Sequence, residues 1–307
     1  MKNAFEFKTL AEFMDYFKDE ETCRAHFAGI RFANGEYCPH CGHTKVYNFR
    51  NGKRYRCAKC REDFTIITGT IFGETKLPLR KWFIAIYLLS TTSKGISSVQ
   101  LAKHVGVTQK TAWFMDHRIR KAMKQNGGLF GNGPVEVDET FMGGLEKNKH
   151  KSKRQHKGTG GTGKTPVFGL KSRGGEIRAR VVRSVRASEL QPIIHGIVPQ
   201  GERVFTDSWV GYNNLKGFQH TVINHSDGTY VVGDAHTNGI ESFWALFKRG
   251  YHGVYHQMSP KHMQRYLDEY TFRFNRRTDG MQQVFSNVVL NVAINTPLPY
   301  KQLTGKI

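Results

Sequence analysis

The sequence predicts a multidomain chain of mixed α+β and α/β class. Three features carry that expectation: two Cys-x-x-Cys pairs among short β-prone pieces, a helical block over 77–123, and β-like runs alternating with helices beyond a glycine-rich stretch. At roughly 100–200 residues per domain, 307 residues make two or three domains with at least one substantial core. Hydrophobic residues at 38% and aromatics at 12% exceed what a wholly disordered chain carries.

Residues 1–36 are expected to form a small helical module. Thr9 followed by Glu12 reads as a capping box, and Leu10, Phe13, Met14 and Phe17 recur at helical spacing after it. A second helix is expected over about 20–30, and Gly35 ends the module. Residues 37–75 read as a ribbon, because the β-prone pieces 45–49 and 54–56 are joined by Asn51-Gly52, a strong hairpin signal. In residues 76–125, Pro78 suits a first helical turn and 82–89 is apolar enough to be buried. There 97–104, Val105-Gly106-Val107 and 108–123 read as helix, tight turn, helix. The glycines of 126–134 mark an interdomain linker. A catalytic-size domain is expected over 134–290, with β-like runs at 135–141, 166–171, 177–185 and 204–207 and a further strand at 221–224. Its helices are expected at 188–198, 238–248 and 260–273, leaving 291–307 as a C-terminal tail.

Charge narrows the function classes. Lys and Arg number 46 against 25 Asp and Glu, a net charge of +21. Residues 1–36 hold 5 basic and 7 acidic side chains, so the remainder carries +23. Such a surplus attracts a polyanion, nucleic acid by default. A membrane surface is the competing partner, but the longest apolar run, 82–89, is far short of the roughly 20 residues that span a bilayer. Glu6, Glu12 and Asp15 are wrong for a signal peptide, so no membrane partner and a cytoplasmic, nucleoid-associated location are expected.

The cysteines follow CxxC, x15, CxxC: Cys38 and Cys41, then Cys57 and Cys60. Each pair can supply two thiolates from one tight knuckle, and a hairpin brings the knuckles together, which is the pattern of a structural Zn2+ site with no open coordination position. Cys23, outside the pairs, reads as a small buried residue. Lys53, Arg54, Arg56 and Lys59 crowd the same ribbon and are candidate DNA contacts. In the helical hairpin, Leu101, Ala102 and Val105 make one apolar face, Gly106 permits the turn and Thr108 can cap the next helix. That helix is expected to present Gln109, Lys110, His117, Arg118 and Lys121 to DNA.

Gly158 to Thr165 satisfies the literal GxxxxGK[ST] pattern of a phosphate loop, but its context is wrong: a basic run precedes it, and Pro166 and a strand-like run follow where a helix is required. No nucleotide cofactor is therefore expected. Residues 147–164 hold seven Lys or Arg and no acid, so Lys151, Lys153 and Arg154 are assigned to a loop that meets a nucleic-acid backbone.

Three carboxylates stand out. Asp138 lies within an apolar strand pattern, Asp207 ends the run Arg203-Val-Phe-Thr-Asp, and Glu241 borders the apolar face of Ile240, Phe243, Trp244 and Phe247, with Lys248 two turns on. Two strand-borne aspartates and a helix-borne glutamate can hold two Mg2+ or Mn2+ ions, hard cations that prefer oxygen and leave positions open for phosphate and water. The alternatives are Glu139, expected on the opposite sheet face from Asp138, and Asp234, just before the helix.

Together the cysteine spacing, Val-Asp-Glu-Thr-Phe-Met-Gly-Gly, the basic loop, Phe-Thr-Asp-Ser-Trp-Val-Gly-Tyr and His-Thr-Asn-Gly-Ile-Glu-Ser-Phe-Trp-Ala-Leu-Phe-Lys-Arg-Gly resemble a bacterial insertion-sequence transposase of the zinc-ribbon DDE type, the Merlin-related group. The resemblance spans roughly residues 36–275. It implies an RNase H-like catalytic domain in which Asp138, Asp207 and Glu241 match the three catalytic acids and Lys248 a basic position. It also adds Asn238, one turn before Glu241, as an alternative, because related elements sometimes carry Asn in place of the third acid. Sixty-eight residues separate the first two acids and thirty-three the last two. The implied activity is metal-dependent cleavage at terminal inverted repeats, bound through the ribbon and helical hairpin, then strand transfer into target DNA by a homodimer or larger synaptic complex. Lys248, Arg249 and the 147–164 loop would hold phosphates. The alternative from a binding class is a non-catalytic zinc-ribbon regulator derived from a transposase.

Overall fold

The computed structural model describes residues 6–50, 52–125, 133–144, 148–154, 161–224, 228, 231 and 233–305, with the side chain of Lys153 left out. In chain order the helices are α1 (Leu10–Tyr16), α2 (Glu20–Arg31), α3 (Leu79–Thr91), α4 (Ser98–Val105), α5 (Gln109–Met123), α6 (Ala187–Ile197), α7 (Asn238–Gly250), α8 (Met263–Asn275), α9 (Met281–Ile294) and α10 (Tyr300–Thr304). The strands are β1 (Val46–Asn48), β2 (Tyr55–Cys57), β3 (Asp63–Phe64), β4 (Val135–Met142), β5 (Thr165–Ser172), β6 (Ile177–Val181), β7 (Arg203–Asp207) and β8 (Gln219–Ile223). They form two compact units, one of Met1–Lys124 with Thr278–Ile307, the other of Gln125–Arg277.

In the first unit the capping box forms as expected: Thr9 Oγ1 accepts from Glu12 N at 3.2 Å and Glu12 Oε2 accepts from Thr9 N at 3.1 Å. Glu20 serves α3 in the same way, accepting from Leu79 N and Arg80 N at 2.9 and 3.1 Å. Charge at a helix start and the orphan N–H groups there make this favourable. Phe7, Phe13, Phe17, Phe83 and Tyr87 gather around Phe285 of α9 in one aromatic core. The ribbon is an antiparallel sheet in the order β1-β2-β3, and the buried Arg31 ties α2 to the segment after it through the carbonyls of Ile66 and Thr68.

The helical hairpin is α4, Gly106 at φ 63°, and α5, with Ser97 and Thr108 as N-caps. One expectation fails along α5. Arg118 is 5% exposed; it donates to Gly73 O at 2.7 Å and lies over Trp82 and Phe114, so it is core and not a DNA contact. His117 is buried too, its ring 4.6 Å from Trp113. Arg118 is buried by the segment around Gly73 and by Trp82 of α3, which pack on that side of α5 and which the helical pattern of α5 does not announce. From sequence the catalytic domain runs to residue 290; in the structure the second unit ends at Arg277, and α9, placed partly in a tail, is core of the first.

The second unit is a five-stranded sheet in the order β6-β5-β4-β7-β8. β6, β5 and β4 are antiparallel, whereas β7 and β8 run parallel to β4 and to each other. This is the RNase H-like arrangement. Period-2 alternation divides its side chains. Val135, Val137, Phe168 and Leu170 pack with Leu190 and Ile194 of α6, while Val167 and Ile177 pack with Ile240, Phe243, Trp244 and Phe247 of α7 and with α8. Gly169 is what lets α7 come so close: a Cβ there would lie 2.6 Å from Trp244 and 2.9 Å from Ile240. Lys164-Thr165 leads straight into β5, not into a helix. Among the described residues no helix is long and apolar enough to cross a membrane.

Candidate functional site

The four paired cysteines converge. Their sulfurs all lie within 4.8 Å of one another, with Cys38 and Cys60 at 3.7 Å and Cys41 and Cys57 at 3.6 Å. Thiolates on a Zn2+ tetrahedron with bonds of about 2.3 Å stand about 3.8 Å apart, so the donor set fits zinc. The knuckle supports it: Lys59 N and Cys60 N donate to Cys57 Sγ at 3.3 and 3.5 Å. Burial raises Cys57, but those N–H groups outweigh it and push the thiol down to about 6. Cys60, despite a favourable bond to the Glu62 backbone, is pushed up to about 12 by burial and by the other thiols. Four sulfurs this close cannot all ionise without a cation among them. The chain thus carries a zinc ribbon whose metal site is made of four cysteines. Cys23 lies buried apart from it.

The acids come together differently. β4 and β7 pair in parallel with Val135 against Val204 and Glu136 against Phe205; continued by two residues, that register sets Asp138, midway along β4, level with Asp207 at the carboxyl end of β7. Glu241 sits on the first turn of α7, its Oε1 accepting from Thr237 Oγ1 at 2.6 Å. Burial first, then the charges of Glu139, Asp207 and Glu241, hold Asp138 well above the usual carboxylate range. Glu139 is raised to about 7 by burial, with Asp207 adding to it and a hydrogen bond from Tyr212 opposing it. It faces the α6 side as expected, where it accepts from the Tyr212 hydroxyl. Among the described residues only the cysteines form a group of three or more ligand atoms so closely gathered. Carboxylates gathered where burial and mutual repulsion disfavour charge on Asp138 are a donor set suited to a hard divalent cation.

Glu136, which the sequence does not single out, fixes the position of α7. It is 1% exposed and accepts from Ile240 N at 2.9 Å and Arg173 Nε at 3.3 Å, with His236 Nδ1 3.4 Å away. Arg173 also donates to the carbonyls of Asp234 and His236 at 2.6 and 3.2 Å, just before the helix. A carboxylate at a helix start satisfies an orphan N–H, and this one sits on the strand that carries Asp138. The signal is in the alternation: Glu136 is two residues before Asp138 and so shares its face. Of the alternatives for the third acid, Asp234 is held by Arg203 at 2.5 and 2.8 Å, and Asn238 is exposed at the first position of α7.

The remaining candidate DNA contacts divide by environment. Lys53, Arg54, Lys59, Lys110, Lys151, Arg154, Lys248 and Arg249 are exposed. Arg56 is exposed and pairs with Asp63 at 2.7 Å, and Gln109 donates to Ser98 Oγ at 2.8 Å. Lys121 is half-buried and donates to the carbonyls of Thr296 and Pro297 at 2.9 and 3.1 Å. Lys153 takes part in a short turn over Lys151–Lys153, and its side chain lies outside the description. Residues 155–160 of the basic loop lie outside the described residues.

Family models match segments of both units. The model of an ISXO2-like transposase domain matches residues 131–275, and that of a transposase zinc-ribbon domain matches 18–63. An uncharacterized protein in transposable element ISH50 of Halobacterium salinarum is 31% identical over 248 residues, covering 76% of this chain and 83% of the relative. An uncharacterized transposase-like protein of Haemophilus influenzae is 33% identical over 97 residues, 31% of this chain and 77% of the relative. The crystal structure of a pre-cleavage Mos1 transpososome is similar over 65% of this chain and 74% of that one, at 15% identity and a TM-score of 0.26. With the ribbon and catalytic domain matched in order, and most of a relative covered, the chain belongs to the ISXO2-like transposase family and is a DNA transposase.

Proposed function

We propose that Asp138, Asp207 and Glu241 are the catalytic acids of this transposase and hold two Mg2+ or Mn2+ ions between them. The observation that carries the proposal is the level placement of Asp138 and Asp207 on adjacent parallel strands, with the helix of Glu241 anchored to the same strand through Glu136. Asp138 would serve both cations, Asp207 and Glu241 one each. When bound, the cations activate the attacking oxygen and neutralise charge on the leaving oxygen. Burial and the acidic neighbours hold the Asp138 carboxyl well above the usual range, so a cation there would favour its charged form. Lys248 and Arg249, on the exposed last turn of α7, and Lys151 and Arg154 hold backbone phosphates near the acids.

Water cuts at the end of the element, and the freed 3′-OH then attacks a phosphodiester of target DNA in line, displacing a target 3′ oxygen. Lys53, Arg54, Arg56 and Lys59 of the ribbon, with Gln109 and Lys110 at the start of α5, bind the terminal inverted repeats. Joining two ends in one event requires a homodimer or larger synaptic assembly, working at the nucleoid. The regulator alternative is not favoured, since a chain that only binds has no use for repelling acids brought together on two adjacent strands.

The test is nicking and strand joining on a duplex that carries the terminal repeat of the chain's own element, with and without Mg2+ or Mn2+. Cation-dependent nicks at the repeat end and joined products are expected. Tight binding with no cutting under either cation would contradict the proposal.

A further inference from the structure

Trp209 follows Asp207 by two residues and is 39% exposed, and its neighbour Val210 is 64% exposed. A large aromatic ring left half in solvent beside a row of acids has lost hydrophobic burial that almost any polar residue would not have had to forgo. The ring is nevertheless held in place. Its Nε1 donates to Val185 O at 2.8 Å, and its own backbone N–H donates to Asp207 Oδ1 at 3.0 Å. Gly211 accommodates it: a Cβ there would lie 2.8 Å from Trp209 Cδ1 and Nε1 and 2.7 Å from Val185 O.

The turn that carries the ring is pinned from two further sides. Tyr212, 1% exposed, donates to Glu139 on β4, next to Asp138. Gln191 of α6 donates to the carbonyls of Gly211 and Asn213 at 3.3 and 2.9 Å. Arg183 and Arg186, both exposed, flank the Val185 carbonyl that anchors the ring. The result is a rigid aromatic surface just beyond the carboxyl end of β7, tied through its turn to Asp207 and Glu139, with Arg183 and Arg186 exposed on the segment that anchors it.

We infer that Trp209 is a stacking platform for an unpaired DNA base next to the phosphate being cut. This rests on the function proposed above. A nucleic-acid base suits the surface because every base presents a π-face to an aromatic ring, while the neighbouring arginines match its phosphates. Chemistry on a duplex end favours a nucleotide drawn out of the stack, and a fixed aromatic ring offsets the lost stacking. Preorganisation by the Val185, Gly211 and Tyr212 contacts means that little ordering is needed on binding.

The experiment uses the full chain with its zinc and a terminal-repeat duplex carrying 5-iodouracil at the nucleotides beside the cut. Irradiation should cross-link the base to Trp209, identified by mass spectrometry. Trp209→Ala should slow cutting of fully paired ends roughly 5- to 150-fold, the equivalent of one base–aromatic stack. Much of that loss should be recovered when the base beside the cut is mispaired, because less unpairing remains to be done, whereas a merely structural defect would not respond to mispairing. Trp209→Phe, which keeps a stacking ring but not the Val185 hydrogen bond, should retain most activity.

Cross-linking to another residue, with Trp209→Ala cutting paired ends at the wild-type rate, would overturn the inference while leaving the catalytic assignment intact. A cross-link at Trp209 in a protein that never cuts would uphold the platform and sink the catalytic assignment instead. An equal loss in Trp209→Ala on paired and mispaired ends would also overturn it.

Discussion

The cysteine site and the carboxylates proposed to hold the catalytic cations are assembled in opposite ways. Within the ribbon each pair of ligands is three residues apart, and one hairpin joins the two pairs, so the four sulfurs are gathered within 4.8 Å by local chain geometry. Asp138, Asp207 and Glu241 come from two strands and a helix far apart in sequence, and the sheet sets the two aspartates level only after it has formed. Local assembly gives a closed site whose metal stabilises the fold. Long-range assembly gives an open one, where repulsion among acids is retained because a scaffold of buried contacts holds them in place.

The largest effect that sharpens this contrast is at the ribbon. Cys57→Ser or Cys38→Ala should release zinc and unfold the ribbon, since structural zinc in comparable small modules contributes about 10–16 kcal/mol of apparent binding energy. Metal analysis and circular dichroism check it, and DNA binding should fall with the metal. At the other site Asp138→Asn should leave the fold intact, and without added divalent cation should raise its melting temperature, because it removes a buried carboxylate that burial and three acidic neighbours disfavour. A ribbon variant that keeps both fold and DNA binding without zinc would break the comparison.

Next in size is the support of α7. Glu136→Ala should cost about 3 kcal/mol, the low end for breaking a buried pair because Arg173 keeps its carbonyl partners, and should reduce cutting by displacing Glu241. Denaturant unfolding measures the first and end-cleavage rates the second, with Glu136→Gln expected between the two. Gly169→Ala should cost about 1–3 kcal/mol by overpacking against Trp244 and Ile240. A stable Gly169→Ala protein with full activity would mean that the approach of α7 does not govern Glu241.

The smallest effect is in pH. Glu139 titrates near 7 in the folded chain against an ordinary value of 4.5, so the folded state holds a proton that the unfolded chain has already released. Stability without added divalent cation is therefore expected to fall as pH rises through that window, by a few degrees in melting temperature. Glu139→Gln should flatten the slope. A rise in stability over the same range would show that this carboxyl is not held protonated by its surroundings.

The same contrast explains what can be read from sequence. The cysteine ligands are legible from spacing alone because their site is local, and so are the caps at Thr9 and Thr108 and the turn at Gly106. The strands of the second unit are legible because apolar runs between turn residues announce them. Glu136 is not singled out, since a glutamate among valines does not reveal that its partners are Ile240 N and Arg173. Arg118 is misplaced because Gly73 and Trp82, 45 and 36 residues before it, cover that side of α5. The three acids stand out by pattern and by the family resemblance, but the level placement of the two aspartates needs the parallel pairing of β4 with β7, a long-range fact.

The central claim is that Asp138, Asp207 and Glu241 act as one cation-dependent cutting site separate from DNA recognition. The most direct measurement sets wild type beside Asp138→Asn, Asp207→Asn and Glu241→Gln, with binding and cleavage of the same terminal-repeat duplex followed in Mg2+ and in Mn2+. All four proteins should bind alike, and each variant should cut at least about 10³-fold more slowly, as expected when several kcal/mol of charge stabilisation are lost. Wild-type cutting by Glu241→Gln, or by either aspartate variant, would contradict the assignment.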